Sequence, residues 1–239
     1  VERRFANGFS IQGSYTFSKI IDDVEASQTG FGGETFATGV GQNYYNTHAD
    51  RSIASFNTPH SLVVSYVYEL PIGPGKKFLP AGGVAGKILG GWQVNGITTF
   101  RSGEPLQITG GNTSALNAGT QRPNWNGQNP TLSGSVTSRL KQYFTTSDFT
   151  FNPLYTFGNA PRIMPDLYGP GTDDWGISVF KNTQIRERFN LQFRAEAFNA
   201  LNRVQFGNPA TNITLSTFGV ISTQANLPRD IQLALKLKF

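Results

Sequence analysis

Few residues in this chain have the type and spacing that catalysis or metal binding requires. There are two histidines, His48 and His60, and no cysteine. His48 with Asp50 makes a His-x-Asp pair, half of a metal or catalytic site. No third ligand lies nearby in sequence, and a zinc site ordinarily takes three or four protein ligands, so an exposed loop histidine is the plainer reading. His60 follows Pro59 at the start of an alternating segment and reads as an interface or loop-anchoring residue. Asp22-Asp23 and Asp173-Asp174 have the chemistry of a general acid and base or of calcium ligands. Neither has the Asp-x-Asp-x-Asp-Gly spacing of a calcium loop. Gly30-Phe31-Gly32-Gly33 has the glycine density of a phosphate loop, but it lacks a Lys-Ser/Thr tail and opens no helical pattern. Without cysteine there is no disulfide framework and no thiolate metal site. The expectation is a protein with no catalytic residue, no metal and no cofactor.

Binding chemistry has better candidates. The stretch 102–173 sets Trp125, Tyr143, Phe144 and Tyr155 among Asn, Gly and Thr, with Phe149, Phe151 and Phe157 beside them. Aromatics with amides suit a sugar or a peptide; they equally suit a loop that packs on itself. The net charge of +5 and pI near 9.5 would suit nucleic acid. Yet the basic residues are scattered, with Arg3-Arg4 and Lys76-Lys77 the densest pairs. No basic stripe tracks a phosphate backbone, so no nucleic-acid partner is expected.

These residues must be positioned by strands. Aromatics make up 13% and charged residues 15%, with 27 Gly and 13 Pro. About 25% charged is average, so the chain is charge-poor and rich in turn formers. No run reaches the ~18 apolar residues of a membrane-crossing helix. From Ile231 the chain reads Ile-Gln-Leu-Ala-Leu-Lys-Leu-Lys-Phe, with Ile231, Leu233, Leu235, Leu237 and Phe239 on one face and Gln232, Ala234, Lys236 and Lys238 on the other. That is the period of two of a β-strand. Segments 9–20, 60–70, 91–101, 174–184 and 189–201 repeat the theme, and Val1 to Phe5 reads as the tail of another. They are longer than the ~5–6 residues of common strands and match the ~9–11 of a membrane-spanning strand.

Connections alternate in length. Ala6-Asn7-Gly8 and Ile185-Arg186-Glu187-Arg188 are tight, and 71–90 is moderate; about 21–59, 102–173 and 202–227 are long and polar. Outer-membrane barrels have short periplasmic turns and long extracellular loops. By that parity Trp92, Tyr68 and Phe239 sit at the periplasmic edge and Phe17, Phe100 and Trp175 at the opposite one, as two aromatic girdles. The fold class expected is all-β: an antiparallel meander of about seven strands forming part of a larger outer-membrane barrel with long extracellular loops. A start at Val1, with no apolar leader, points to a natural N-terminus further upstream.

Five phrases then resemble a known family: Ser14–Asp23, His60–Gly73, Gly90–Leu106, Ile177–Gly207 and Pro228–Phe239. In this order they look like the barrel of Oar-like TonB-dependent receptors, which carry a carboxypeptidase-regulatory-like domain, a plug and a barrel of about 22 strands. The resemblance spans the chain, so residues 1–239 would be the C-terminal part of such a barrel, without plug or N-terminal domain. It implies energy-dependent import through a plugged barrel, or export of a large cargo. It also implies an assembly signal at Leu235, Leu237 and Phe239, read by the barrel assembly machinery. Gln93, Arg101, Arg194, Glu196, Lys236 and Lys238 would line the lumen, or pair with each other or the plug for stability. The implied partners are outer-membrane lipid, TonB through the N-terminal part, and a peptide, carbohydrate or chelate ligand. Two other readings stay open: a passive porin-like barrel, and a soluble β-sandwich binding carbohydrate at the cell surface.

Overall fold

The computed structural model describes residues 2–6, 8–23, 42–43, 45–79, 83–111, 121–186 and 189–239. Val1, Asn7, the Gly30-Phe31-Gly32-Gly33 stretch and the Glu187-Arg188 pair lie outside the described residues. In chain order the elements are β1 (Glu2–Ala6), β2 (Phe9–Phe17), β3 (Ile21–Asp22), β4 (Ser52–Ile53), β5 (His60–Glu69) and the helix α1 (Gly83–Leu89). There follow β6 (Trp92–Arg101), β7 (Asn124–Trp125), β8 (Phe149–Thr150), β9 (Thr172–Arg186), β10 (Phe189–Phe198) and β11 (Asp230–Lys238).

The long strands form one seven-stranded sheet in the order β1-β2-β5-β6-β9-β10-β11, and every pairing in it is antiparallel. This is the meander expected from the alternating segments. Among the described residues no ladder joins β1 to β11, so the sheet is an open arc with β11 at one edge. Strand ends have local causes. The pattern of β2 continues in sequence to Ile20, but the ladder stops at Phe17↔His60. The next partner is Pro59, which has a carbonyl and no N–H. Ser18 N–H reaches the Pro59 carbonyl, and Ile20 N–H turns to Asn57 Oδ1. β10 stops at Phe198 because Asn199 takes the left-handed conformation, φ 46°, which Asn tolerates better than most residues.

Register sorts the side chains into two faces. Ile11, Tyr66, Gly96, Ile177, Ala197 and Ile231 form one continuous cross-strand row. Phe9, Tyr68, Val94, Val179, Ala195 and Leu233 form the next. Their neighbours along each strand point the other way and are mostly Ser, Gln, Asn, Thr, Arg and Lys.

The apolar face has no second layer over it. Among the described residues no buried apolar side chain belongs to the sheet; its buried positions are Gly96, Thr98 and Gln192. Ile231, Leu233, Leu235 and Leu237 are 62%, 66%, 68% and 50% exposed. A β-sandwich interleaves the inner faces of two sheets into a core, so these leucines would then be covered. Leaving such a row in water forgoes roughly 1.5–3 kcal/mol per side chain. The face is built for an apolar surround.

The core lies elsewhere, in the long connections. Leu106, Ile108, Tyr143, Phe144, Phe149, Met164, Leu167 and Ile221 pack together, with Trp125, Val136, Leu140, Phe206, Ile213 and Phe218 around them. Phe144, Phe149 and Phe218 form an edge-to-face triangle with ring centres 5.2–6.0 Å apart, the geometry aromatic quadrupoles prefer. Backbone bonds tie the β6–β9 connection to the β10–β11 connection, among them Tyr143 N–H to the Gly219 carbonyl and Ile221 N–H to the Leu140 carbonyl. The short ladders β3–β4 and β7–β8 belong to the same structure. We call it the loop crown. It stands at the end of the sheet marked by Phe17, Arg101 and Phe198; the short connections lie at the other end.

Candidate functional site

The polar face of the sheet is the first candidate site. It carries every residue expected to line a lumen: Gln93 opposes Phe180, Phe180 opposes Arg194, and Glu196 opposes Gln232. Lys236 opposes Gln192, Lys238 opposes Asn190, and Arg101 opposes Ser61 on this same face. Side-chain hydrogen bonds fix this face, one within β6 and a second set linking β9 to β10. Gln93 Nε2 donates to Asn95 Oδ1 at 2.5 Å, and Gln192 Nε2 donates to Asn182 Oδ1 at 2.8 Å. Arg194 Nε donates to Gln192 Oε1 at 2.8 Å, and its guanidinium lies 4.7 Å from the Phe180 ring centre, a cation–π distance. Both amides and the guanidinium are thereby held in fixed rotamers facing one way. Asn95, Asn182 and Gln192 were not singled out from sequence, although each falls on the polar parity of its strand.

The acidic pairs turn out to have arginine counterions. Asp22 pairs with Arg162, and Asp173 pairs with Arg203 while accepting from Gln205 Nε2 at 3.0 Å. The His-x-Asp motif is pulled apart. His48 is exposed on a short 3-10 turn, Thr47–Asp50, whereas the Asp50 carboxylate is buried against Arg122 at 2.9 Å. Among the described residues no three His, Cys, Asp or Glu side chains are grouped to hold a metal ion. His60 sits at the crown end of the sheet, with Nδ1 2.7 Å from the Tyr15 hydroxyl and its ring 5.2 Å from that of Phe17.

The crown carries the aromatics considered for ligand contact, and burial divides them. Tyr143 (4% exposed) and Phe144 (0%) are core residues, so neither presents its ring to a ligand. Trp125 is half-buried against that core, its Nε1 donating to the Gln128 carbonyl at 2.8 Å. Tyr155 is 69% exposed, near Phe151 at 56% and Leu154 at 59%. For Tyr143 and Phe144 the self-packing loop is what the geometry supports, whereas Tyr155, Leu154 and Phe151 are left accessible.

Burial pushes the Tyr143 phenol above its ordinary value, against the opposing pull of Arg139. A raised phenol contributes stability that is complete below the unfolded value, about 10, and is lost as pH climbs towards the folded value. The crown is therefore expected to loosen above about pH 10, and Tyr143→Phe to flatten that loss. Tyrosinate absorbance and hydrogen exchange over 139–149, followed against pH, check this.

A family model described as an outer membrane beta barrel domain matches residues 1–232. The chain belongs to that family. No curated protein and no solved structure matches it.

Membership places the barrel domain in the outer membrane of a Gram-negative bacterium. It also supplies the missing second layer. Hydrocarbon has no hydrogen-bonding groups, so a spanning sheet must satisfy its backbone between strands, as these ladders do, and its outward side chains must be apolar. No described helix is long and apolar enough to cross a membrane; strands cross instead. The barrel domain's edge aromatics fall at two levels. Tyr15, Phe17, Phe100 and Trp175 gather at the crown end, where Phe100 and Trp175 meet edge to face at 5.7 Å. Phe9, Tyr68 and Trp92 gather at the other. Leu235 and Leu237 oppose Phe193 and Leu191 on the apolar face of β11, with Phe239 just beyond and 94% exposed.

Proposed function

We propose that the barrel domain is the C-terminal wall segment of a TonB-dependent transporter of the Oar-like type, moving a substrate across the outer membrane through a plugged barrel of about 22 strands. The observation that carries the reading is the polar face of the open arc. Gln93, Asn95, Asn182, Gln192 and Arg194 form a pre-organised hydrogen-bonding surface, and Arg101, Glu196, Lys236 and Lys238 add charge to it. Interiors of the smallest barrels are filled by side chains, whereas the widest hold water or a plug. A polar wall on a seven-stranded sheet whose edge strands are joined by no ladder among the described residues suits the wide kind. The order of the five sequence phrases supports the Oar-like type. In this reading residues 1–239 supply wall and loops, and the preceding part supplies the plug and the contact with TonB.

The residues then take these roles. The lumen-facing set holds the plug or borders the path. The crown, through Tyr155 and its exposed neighbours, meets a peptide, carbohydrate or chelate at the cell surface. Leu235, Leu237 and Phe239 are read by the assembly machinery. The work is conformational, and the reading assigns the chain transport rather than catalysis. The passive porin shares the polar wall and differs in having no plug. The full-length protein in a planar bilayer separates the two. A plugged transporter is expected to carry little steady ion current until a mild denaturant releases the plug. An open-channel current from the first insertion, with no crosslink to TonB in cells, would favour the porin and defeat the proposal.

A further inference from the structure

The connection from Leu70 to Gly91 joins β5 to β6 at the short-turn end of the sheet and contains α1. Two side chains fix where α1 ends. Trp92 Nε1 donates to the Ile88 carbonyl at 3.1 Å. Lys181 Nζ donates to the Lys87 carbonyl at 2.9 Å and to the Gly90 carbonyl at 2.5 Å, and lies 5.3 Å from the Trp92 ring centre. Trp92 and Lys181 oppose each other in the ladder, and both share the parity of Val94 and Val179, the apolar face. The C-terminal carbonyls of α1 are therefore held on the outward side of the wall. A lysine is otherwise out of place on that face; here it reaches the helix end, where a cation is favoured, and keeps its charge near the interface.

The rest of the connection has the amphipathic character of a membrane-surface element. Gly86 is buried against Pro74 and is the docked side of α1. Val84, Ile88 and Leu89 are left 75%, 60% and 51% exposed, with Phe78 at 53% and Leu79 at 41% nearby. Lys77 lies 5.5 Å from the Phe78 ring centre, and the Lys87 side chain is exposed. Exposed apolar side chains grouped on one connection call for a covering surface. The one continuous with this patch is the bilayer that already covers the outward face.

We propose that this connection is a lipid anchor. Val84, Ile88 and Leu89 lie in the interfacial layer of the periplasmic leaflet, and Lys77 and Lys87 face phospholipid phosphates. Interfacial helices bind in this way, by apolar burial plus attraction to anionic headgroups, and an indole at the same level is the usual companion. The proposal rests on the apolar face being the lipid face.

Residues 1–239 contain no cysteine, so with any cysteine elsewhere in the full-length protein replaced by serine, the variants Val84→Cys, Ile88→Cys, Lys76→Cys and Leu233→Cys can each carry a single environment-sensitive fluorophore in phosphatidylethanolamine–phosphatidylglycerol vesicles. Lys76 is held by Glu69 on the opposite face at 2.9 Å and serves as the aqueous reference, and Leu233 as the lipid reference. Labels at 84 and 88 are expected to be quenched several-fold more by phospholipid brominated near the headgroup than by aqueous iodide, with the reverse at 76. Iodide quenching at 84 and 88 would overturn the anchor, and so would protection there from both quenchers, because a protein surface would then cover α1. With Leu233 still quenched by lipid, either failure belongs to the anchor alone. A Leu233 label untouched by lipid would overturn the outward face itself, and the anchor with it.

Discussion

Replacing Asp50 with Ala is expected to cost the loop crown about 3–5 kcal/mol, the usual penalty for stranding one member of a buried ion pair. The Asp50 and Arg122 side chains are 3% and 5% exposed and meet at 2.9 Å. Burial lowers the Arg122 pKa, and Asp50 opposes that shift; without the carboxylate the desolvated guanidinium keeps, among the described residues, the neutral Gln42 Oε1, which accepts from Arg122 Nε at 3.1 Å. Further ties join the connection around Asp50 to the β6–β9 connection among the described residues. Arg162 Nε donates to the Asp50 carbonyl at 2.8 Å, Arg162 pairs with Asp22, and Gln42 Nε2 donates to the Gly158 carbonyl at 2.9 Å. Hydrogen exchange and limited proteolysis of the folded barrel domain should show 45–57 and 121–125 opening while the sheet amides stay protected. The double variant Asp50→Leu with Arg122→Met removes both charges and is expected to recover most of the loss, as apolar replacements of buried pairs do. If the double variant is as open as the single one, the pair acts through its shape and the stranded-charge account is wrong.

This pair also marks where sequence reading reaches its limit. The sheet was legible because its rule is local. A side-chain period of two, segment lengths and the alternation of short and long connections determine which residues share a face, and register confirmed it for Leu233, Val179, Val94 and Tyr68. Gln93, Arg101, Arg194, Glu196, Lys236 and Lys238 fall together on the polar face by the same parity. The crown obeys no such rule. Asp50 and Arg122 are brought together by the folding of two separate connections, and no spacing in the chain announces them. Tyr143 and Phe144 have the composition of a binding loop and the burial of a core, and composition cannot distinguish these. The helix α1 was missed for a different reason. Seven residues, two of them glycine, make too weak a helical signal in isolation; what holds α1 is Trp92 at the start of the following strand and Lys181 on a strand distant in sequence.

Glycines show a second kind of non-local constraint. An added Cβ at Gly158 would press into the Arg122 and Pro123 carbonyls, so two connections pass close to each other beside the buried ion pair. At Gly96 the obstruction is the Tyr66 ring, directly opposite on the outward face. The aromatic lies across its neighbouring strand because the space above Gly96 is empty. At this point the outward surface depends on a small residue beneath a large one, a pairing that hydrophobic alternation alone does not reveal.

The largest difference between the two faces should appear when the same charge is placed on either side of β11. Leu233→Arg is expected to destabilise the folded barrel in lipid by about 2–4 kcal/mol, the cost of a basic side chain near the bilayer midplane. Gln232→Arg, one residue away, is expected to change stability by less than about 0.5 kcal/mol. Propensity and backbone are nearly the same for the two variants, and both positions are exposed on the edge strand. What differs is that Leu233 opposes Ala195 and lies in the row of Val179 and Val94, whereas Gln232 opposes Glu196 on the polar face. The new arginine at 232 would even stand beside a carboxylate. Denaturant titration of the full-length protein in phospholipid vesicles, read by the heat-dependent mobility shift of folded barrels, measures both. Equal penalties at the two positions would mean that both faces meet the same surroundings. The division into a hydrocarbon side and an aqueous side, and with it the transport path, would then have to be abandoned.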